Sequence, residues 1–160
     1  MLGDTLVAWA ETAGRDLPWR RTREPWAVLV SELMLQQTQV ARLVPRYERF
    51  LARFPTPPAL AAAPVADVIA EWAGLGYNRR AVNLHRAARQ VTAKHGGRIP
   101  AALADLLALP GIGPYTARAV LAFAFEEPVG VLDVNAARVS ARAAAGRSLG
   151  PAEAQRLADS

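Results

Sequence analysis

The 160-residue chain is 52% hydrophobic and 21% charged, a balance that excludes intrinsic disorder and fits one domain or a pair of small lobes. Its net charge of +5, carried almost wholly by arginine since Lys94 is the only lysine, favours a polyanionic partner; the arginine bias suits bidentate phosphate contacts and equally a GC-rich genome. The absence of cysteine excludes disulfides, thiolate nucleophiles, thiolate-bound zinc and iron–sulfur ligation by this chain. His85 and His95 lack a paired metal spacing, and no run spans a bilayer or forms a signal peptide, so a cytoplasmic protein is expected.

Residues 4–13 predict a short amphipathic helix with Asp4 as N-cap and Leu6, Val7 and Trp9 on its apolar side. A basic loop, Arg15–Arg21, follows and encloses Trp19. It reads either as a linker whose tryptophan packs on the core or as the wall of a base pocket built from Trp19 and Arg20. From Pro25 to Leu35 the chain predicts a helix that is apolar almost all round and therefore buried. Glu32 lies in its middle. A lone carboxylate there is costly unless paired or functional, and burial would raise its pKa towards the range a general acid needs. The alternatives are an exposed strip or a partnership with an arginine such as Arg20. Gln36, Gln37, Thr38 and Gln39 then form an amide-rich tetrad, suited to wedging into an opened base stack or to a solvated helix end.

Pro45 starts or kinks the next predicted helix, whose apolar face carries Tyr47, Phe50, Leu51 and Phe54. Residues 55–58 break it, and two short helices follow at 59–63 and 65–73. Gly74–Arg80 is a glycine turn opening a helix that continues to about Lys94, and Gly76, Tyr77 and the two arginines Arg79 and Arg80 make it resemble a phosphate-and-stacking device. Gly96 and Gly97 cap that helix. Pro100 is expected to start a helix ending near Ala108.

Leu109–Thr116 is the feature around which the second half is organised: Leu109, a turn with Gly111, Ile112 and Gly113, then Pro114 at the first position of a new helix. Both glycines allow φ > 0 and close approach of a ligand, and the amides of a helix N-terminus suit phosphate. The helix runs to about Phe125, Glu126–Pro128 stops it, and residues 129–132 are extended. Asp133 stands at the entrance of a last helix through Arg142, where it reads locally as an N-cap. No segment alternates with period two, so the chain is predicted to be all-α.

Ser31–Val40, Gly74–Tyr77, the Leu109–Thr116 hairpin and the following Asp133 resemble, in order and spacing, the helix-hairpin-helix DNA glycosylases. Within that superfamily the Ser-Glu-x-Met-Leu-Gln-Gln-Thr segment is similar to the A/G-specific adenine glycosylases of the MutY type. The resemblance implies a six-helix barrel lobe over residues 23–132 carrying the hairpin, with 1–22 and 133–160 as part of a second helical lobe. It implies removal of an adenine mispaired with 8-oxoguanine or guanine in double-stranded DNA. Glu32 would protonate the base at N7 and Asp133 would stabilise the oxocarbenium-like sugar.

By the same resemblance, Trp19 and Arg20 lie near the adenine pocket and Gln37 forms the wedge, with Thr38 next to it as a further DNA-binding candidate. Tyr77 intercalates on the 8-oxoguanine side, beside Gly76 and Arg79. Tyr115 and Asn135 lie close to the scissile sugar. Leu109, Gly111, Ile112, Gly113 and Thr116 form the phosphate-binding hairpin, whose carbonyls hold a monovalent cation. Tyr115 stands where strand-cutting relatives carry a lysine, so a monofunctional enzyme is expected, because a phenol cannot form a Schiff base.

Two departures qualify the match. Val134 follows the aspartate where the family often has glycine. Members usually continue to a four-cysteine iron–sulfur loop and an 8-oxoguanine-reading domain, so a truncated, monomeric member with uncovered apolar surface is expected. Two rival readings are a noncatalytic helix-hairpin-helix DNA-binding module, which would need neither Glu32 nor Asp133, and a sibling glycosylase acting on thymine.

Overall fold

The computed structural model describes residues 2–159, without the side chains at 2–3 and 144–145, so positions 1 and 160 of the expected second lobe lie outside the described residues. Ten α-helices occur among the described residues, and no strand. The helix α2 (Pro25–Leu35) forms the centre. Glu24 caps it by accepting the Ala27 N–H at 2.7 Å, and Pro25 occupies the first position, where no N–H is needed. Residues 26–34 are all buried, as an all-round apolar helix requires.

Three helices enclose it: α3 (Val40–Arg53), α6 (Arg79–Lys94) and α8 (Pro114–Ala124). Trp26 donates its indole N–H to the Phe54 carbonyl at 3.0 Å, which satisfies the one polar atom of a buried ring. Phe50 meets Phe54 and Trp72 edge-on, with ring centroids 5.0 and 5.9 Å apart. Between α3 and α6 lie α4 (Pro57–Ala62) and α5 (Val65–Trp72), both packed against α6.

Several sequence expectations shift. α3 ends at Arg53, ahead of the prolines as expected, but Pro57 and Pro58 already begin α4, with the Thr56 hydroxyl accepting from Ala59 N–H at 3.3 Å. Pro45 lies inside α3, which already starts at Val40. Pro100 starts nothing: burial of Ile99 holds that segment in the core, and α7 (Leu103–Leu107) begins three residues later. The helix after Asp133 keeps α geometry only as α9 (Val134–Ser140) before widening into a π turn over Ala141–Ala145. A further helix, α10 (Pro151–Ala158), packs on α9 and was not predicted.

The helix α1 (Leu2–Ala13) carries Leu6, Val7 and Trp9 in solvent. Asp159 ties the end of the segment 130–159 back to its start and to α8. The Asp159 carboxylate accepts from Gly130 N–H at 2.9 Å and from Arg118 at 2.7 Å, and Gln155 donates to the Gly130 carbonyl at 2.9 Å. No helix among the described residues is long and apolar enough to cross a membrane.

Phe50 tests the core directly. Phe50→Ala is expected to lower stability by about 3–5 kcal/mol, read as a shift of the urea midpoint with unchanged slope. A loss under about 1 kcal/mol would show that the aromatic cluster around Trp72 does not anchor the fold.

Candidate base-excision site

Burial of α2 decides the state of Glu32. Its side chain is 7% exposed, and among the described residues no arginine or lysine forms an ion pair with it, so the exposed-strip and Arg20-paired alternatives both fail. Burial pushes its pKa up to about 6, and a hydrogen bond from Tyr115 pulls the other way. Glu32 faces a pocket of about 540 Å³ whose walls include Trp19, Arg20, Leu35, Tyr115 and Phe123. That volume suits a small ligand, and an aromatic-lined cavity facing a carboxyl of raised pKa suits a heteroaromatic base.

The Trp19 loop packs on the core and also lines the pocket. Pro18–Arg20 forms a 3-10 turn, Trp19 is buried and packs edge-on against Tyr47 at 5.4 Å, and the same ring lines the pocket. Arg20 bonds the Arg15 carbonyl at 3.1 Å at the pocket wall. An ion pair between Arg23 and Glu126, 2.8 Å long, lies on the same cavity, and Phe123 is half exposed there. None of these last three residues had a sequence signal beyond its position in a helix end.

Tyr115, at the second position of α8, stands between two carboxylates. Its phenol is pushed up to about 12, by burial first, then by the charges of Glu32 and Asp133 and the bond to Glu32. It therefore stays protonated as a hydrogen-bond donor. Asp133 is exposed and caps α9, its Oδ1 accepting the Ala136 N–H at 2.6 Å. It lines a different hollow of about 510 Å³, bounded by Leu132, Val134, Ala137 and Leu149. The two acids thus face separate cavities, with Tyr115 as the link between them. Asn135 is exposed and accepts from Arg138 at 3.2 Å.

The hairpin offers main chain rather than side chains. Leu109 and Ile112 point into the core, and Thr116, 2% exposed, is turned inward to accept a 3.4 Å bond from Gln36. These three side chains seat the turn, so the hairpin they form presents its main chain outward. Gly111 has φ +80°, and a Cβ there would come within 2.7 Å of Asn83. Gly113, in contrast, has φ −95° and is simply the N-cap of α8, with open space where a Cβ would be.

The chain end of α2 and the Gly74–Tyr77 turn hold the remaining candidates. Gln37 and Tyr77 project into solvent, Tyr77 66% exposed, and both have left-handed backbone, φ +55° and +48°. A non-glycine residue there stores strain of roughly 1–3 kcal/mol. Arg79 and Gly76 are exposed beside Tyr77, and Thr38 is partly covered. Arg80, next to the candidate Arg79, is buried. The sequence groups it with Arg79 in the phosphate-and-stacking turn, but helical spacing sets it in line with Leu84, Ala88 and Val91, on the buried face.

No group of three or more His, Asp or Glu residues that could hold a metal occurs among the described residues. The chain has no cysteine, so its residues do not fit an iron–sulfur cluster, and no step involves one.

Residues 30–159 match the family model of the HhH-GPD superfamily base excision DNA repair proteins. The chain is 47% identical over 149 residues to an adenine DNA glycosylase of Mycobacterium tuberculosis, covering 92% of this chain and 49% of the relative. It is 43% identical over 147 residues to an adenine DNA glycosylase of Homo sapiens, covering 86% and 27%. The chain therefore spans about half the length of the mycobacterial relatives. Among solved structures it resembles a thermostable thymine-DNA glycosylase, with TM-score 0.89, 29% identity and coverage of 98% of this chain and 74% of that one. It also shares its fold with a trapped endonuclease III–DNA covalent intermediate, with TM-score 0.82, 24% identity and coverage of 96% and 72%.

The raised pKa of Glu32 has a stability consequence. An acid whose folded pKa (about 6) exceeds its unfolded value (4.5) holds its proton more tightly in the fold, so stability falls as pH rises from 4.5 through about 6. Glu32→Gln removes that penalty. The variant is expected to be more stable than the parent by about 2 kcal/mol at pH 7.5 and to show little gain at pH 4, measured by urea unfolding. An equal gain at both pH values would contradict a buried, titrating Glu32.

Proposed function

The chain belongs to the HhH-GPD superfamily of base excision DNA repair proteins, and from that premise we propose that it removes adenine mispaired with 8-oxoguanine or guanine from double-stranded DNA. The observation that carries this reading is Glu32: a carboxyl buried in an aromatic-walled pocket, its pKa raised to about 6. A flipped adenine sliding between Trp19 and Phe123 would meet a proton donor at its ring nitrogen. Protonation at N7 withdraws electrons from the glycosidic bond, which then breaks towards an oxocarbenium-like sugar. Asp133 supplies a negative charge for that cation on the far side of Tyr115, with Asn135 beside it, and water takes the place of the base. Tyr115 donates to Glu32 and holds it towards the base, which a neutral phenol at neutral pH can do.

Binding follows from the same surfaces. The main chain at Gly111 and Gly113 and the N-terminal amides of α8 receive a phosphate, and hairpin carbonyls would hold a monovalent cation that offsets phosphate charge; Leu109, Ile112 and Thr116 brace the turn from below. Gln37, with Thr38 behind it, enters the stack on one side of the mispair and Tyr77 on the other, and Arg79 and the backbone at Gly76 meet the adjacent phosphates. The adenine preference is supported by the relatives named adenine DNA glycosylase, which carry it over a longer chain. A monomer suffices for this arrangement.

Incubation with an A:8-oxoguanine duplex followed by alkali is expected to cut the adenine strand, and without alkali to leave it intact. Glu32→Gln should lower base release by about 10²–10⁴-fold. Because the acid acts in its protonated form, the single-turnover rate is expected to be flat below about pH 6 and to fall about tenfold per unit above it. Borohydride should trap no covalent complex, since Tyr115 offers no amine. Duplex binding without alkali-dependent cleavage would make the chain a noncatalytic DNA-binding module, and preference for a thymine mispair would make it a sibling glycosylase.

A further inference from the structure

Arg80 is 9% exposed and pairs with no acidic side chain among the described residues; its guanidinium instead bonds main chain and one hydroxyl. One nitrogen, Nη1, donates to the last carbonyls of α2, Leu33 at 2.9 Å and Met34 at 3.2 Å, and to the carbonyl of Gln36. The other, Nη2, donates to the carbonyls of Leu75 at 3.0 Å and Gly76 at 3.2 Å, and to the Thr38 hydroxyl at 3.3 Å. The plane lies against two rings, with its carbon 5.5 Å from the Trp72 centroid and 5.6 Å from that of Tyr77. Nε is buried without a partner.

Among the groups bonded by the two nitrogens, those of Gln36 and Thr38 flank Gln37, and those of Leu75 and Gly76 lead into Tyr77. Both projecting residues hold left-handed backbone that other residue conformations would relieve. A positive charge at the C-terminal end of α2 is favoured by the helix dipole, but a simple charge would need only one side of this arrangement. The planar fork reaches both sides, which a lysine ammonium cannot do.

We propose that Arg80 is a positioning residue that locks the Gln37 and Tyr77 turns into one rigid two-pronged unit, so that both side chains enter the DNA stack together. The proposal rests on the reading of Gln37 and Tyr77 as stack-entering residues given above. Arg80 itself touches no base. Its role is to hold strained backbone at two distant points of the chain in a fixed relation before DNA arrives, so that binding need not order them.

The experiment is a mutant cycle on the full chain, with an A:8-oxoguanine duplex carrying 2-aminopurine beside the mispair. Stack opening is read as the fluorescence rise on saturation, alongside affinity and single-turnover base release. Arg80→Lys is expected to bind within about threefold of the parent, because the exposed phosphate contacts remain. It should lose about tenfold in base release, with a matching fall in the fluorescence rise. Adding Tyr77→Ala or Gln37→Ala to Arg80→Lys should cost little more than the worse single change, whereas independent contributions would multiply.

Should Arg80→Lys lose its helical circular dichroism, the Gln37→Ala/Tyr77→Ala cycle with Arg80 intact decides the matter. Losses that fail to multiply support one unit, and losses that multiply overturn it. Parent-like fluorescence and rate in a folded Arg80→Lys overturn the positioning role alone. A parent chain that neither binds nor opens the duplex overturns the functional reading together with it.

Discussion

A helix that is apolar around its whole circumference has to be enclosed on every side, and α2 imposes that demand on this chain. α3, α6 and α8 supply the enclosure. The aromatic cluster of Phe50, Phe54 and Trp72 and the Trp26 bond to Phe54 fix where the shell closes. The same burial carries Glu32 into surroundings that favour its neutral form. Structural requirement and chemical capacity therefore have one cause: the carboxyl is an acid near neutral pH because the helix beneath it must be dry.

The enclosure is least regular where α2 ends. Its last carbonyls cannot find intrahelical partners, and a buried end without partners is unfavourable. Arg80 answers this from another helix and ties the α2 end to the Gly74–Tyr77 turn. Left-handed backbone at Gln37 and Tyr77 persists because the surroundings over-determine it, and both residues end up as exposed side chains on firm bases. The hairpin follows the same logic: Leu109, Ile112 and Thr116 are committed to packing, which leaves the backbone around Gly111 and Gly113 to face outward.

The outer parts contrast with this shell. α1 shows Leu6, Val7 and Trp9 to solvent, and Val134 and Val139 of α9 are exposed as well. Asp133 belongs to this looser region and opens on the hollow between α9 and α10, whereas Glu32 belongs to the closed one. Tyr115, fixed at the start of α8, is the only candidate residue whose phenol feels both carboxylates. It joins a rigid acid to a more open partner.

Much was legible in the chain because it depends on local spacing. Helical periodicity located α2, α6 and α8, the lone Glu32 in an apolar run marked its own burial, and the Gly111–Pro114 turn announced a hairpin through residue types that suit few other conformations. The motifs and their order were enough to point to the superfamily. Only the tertiary structure decided what each candidate faces. It turned Thr116 inward, made Trp19 both core and pocket wall, and set Glu32 and Asp133 on different hollows. It also chose Arg80 over Arg79 as the buried arginine. The reason is physical: a sequence states which groups a segment carries, but burial, a shared pocket and a guanidinium bonded to two distant turns arise only when segments far apart in the chain compete for the same space.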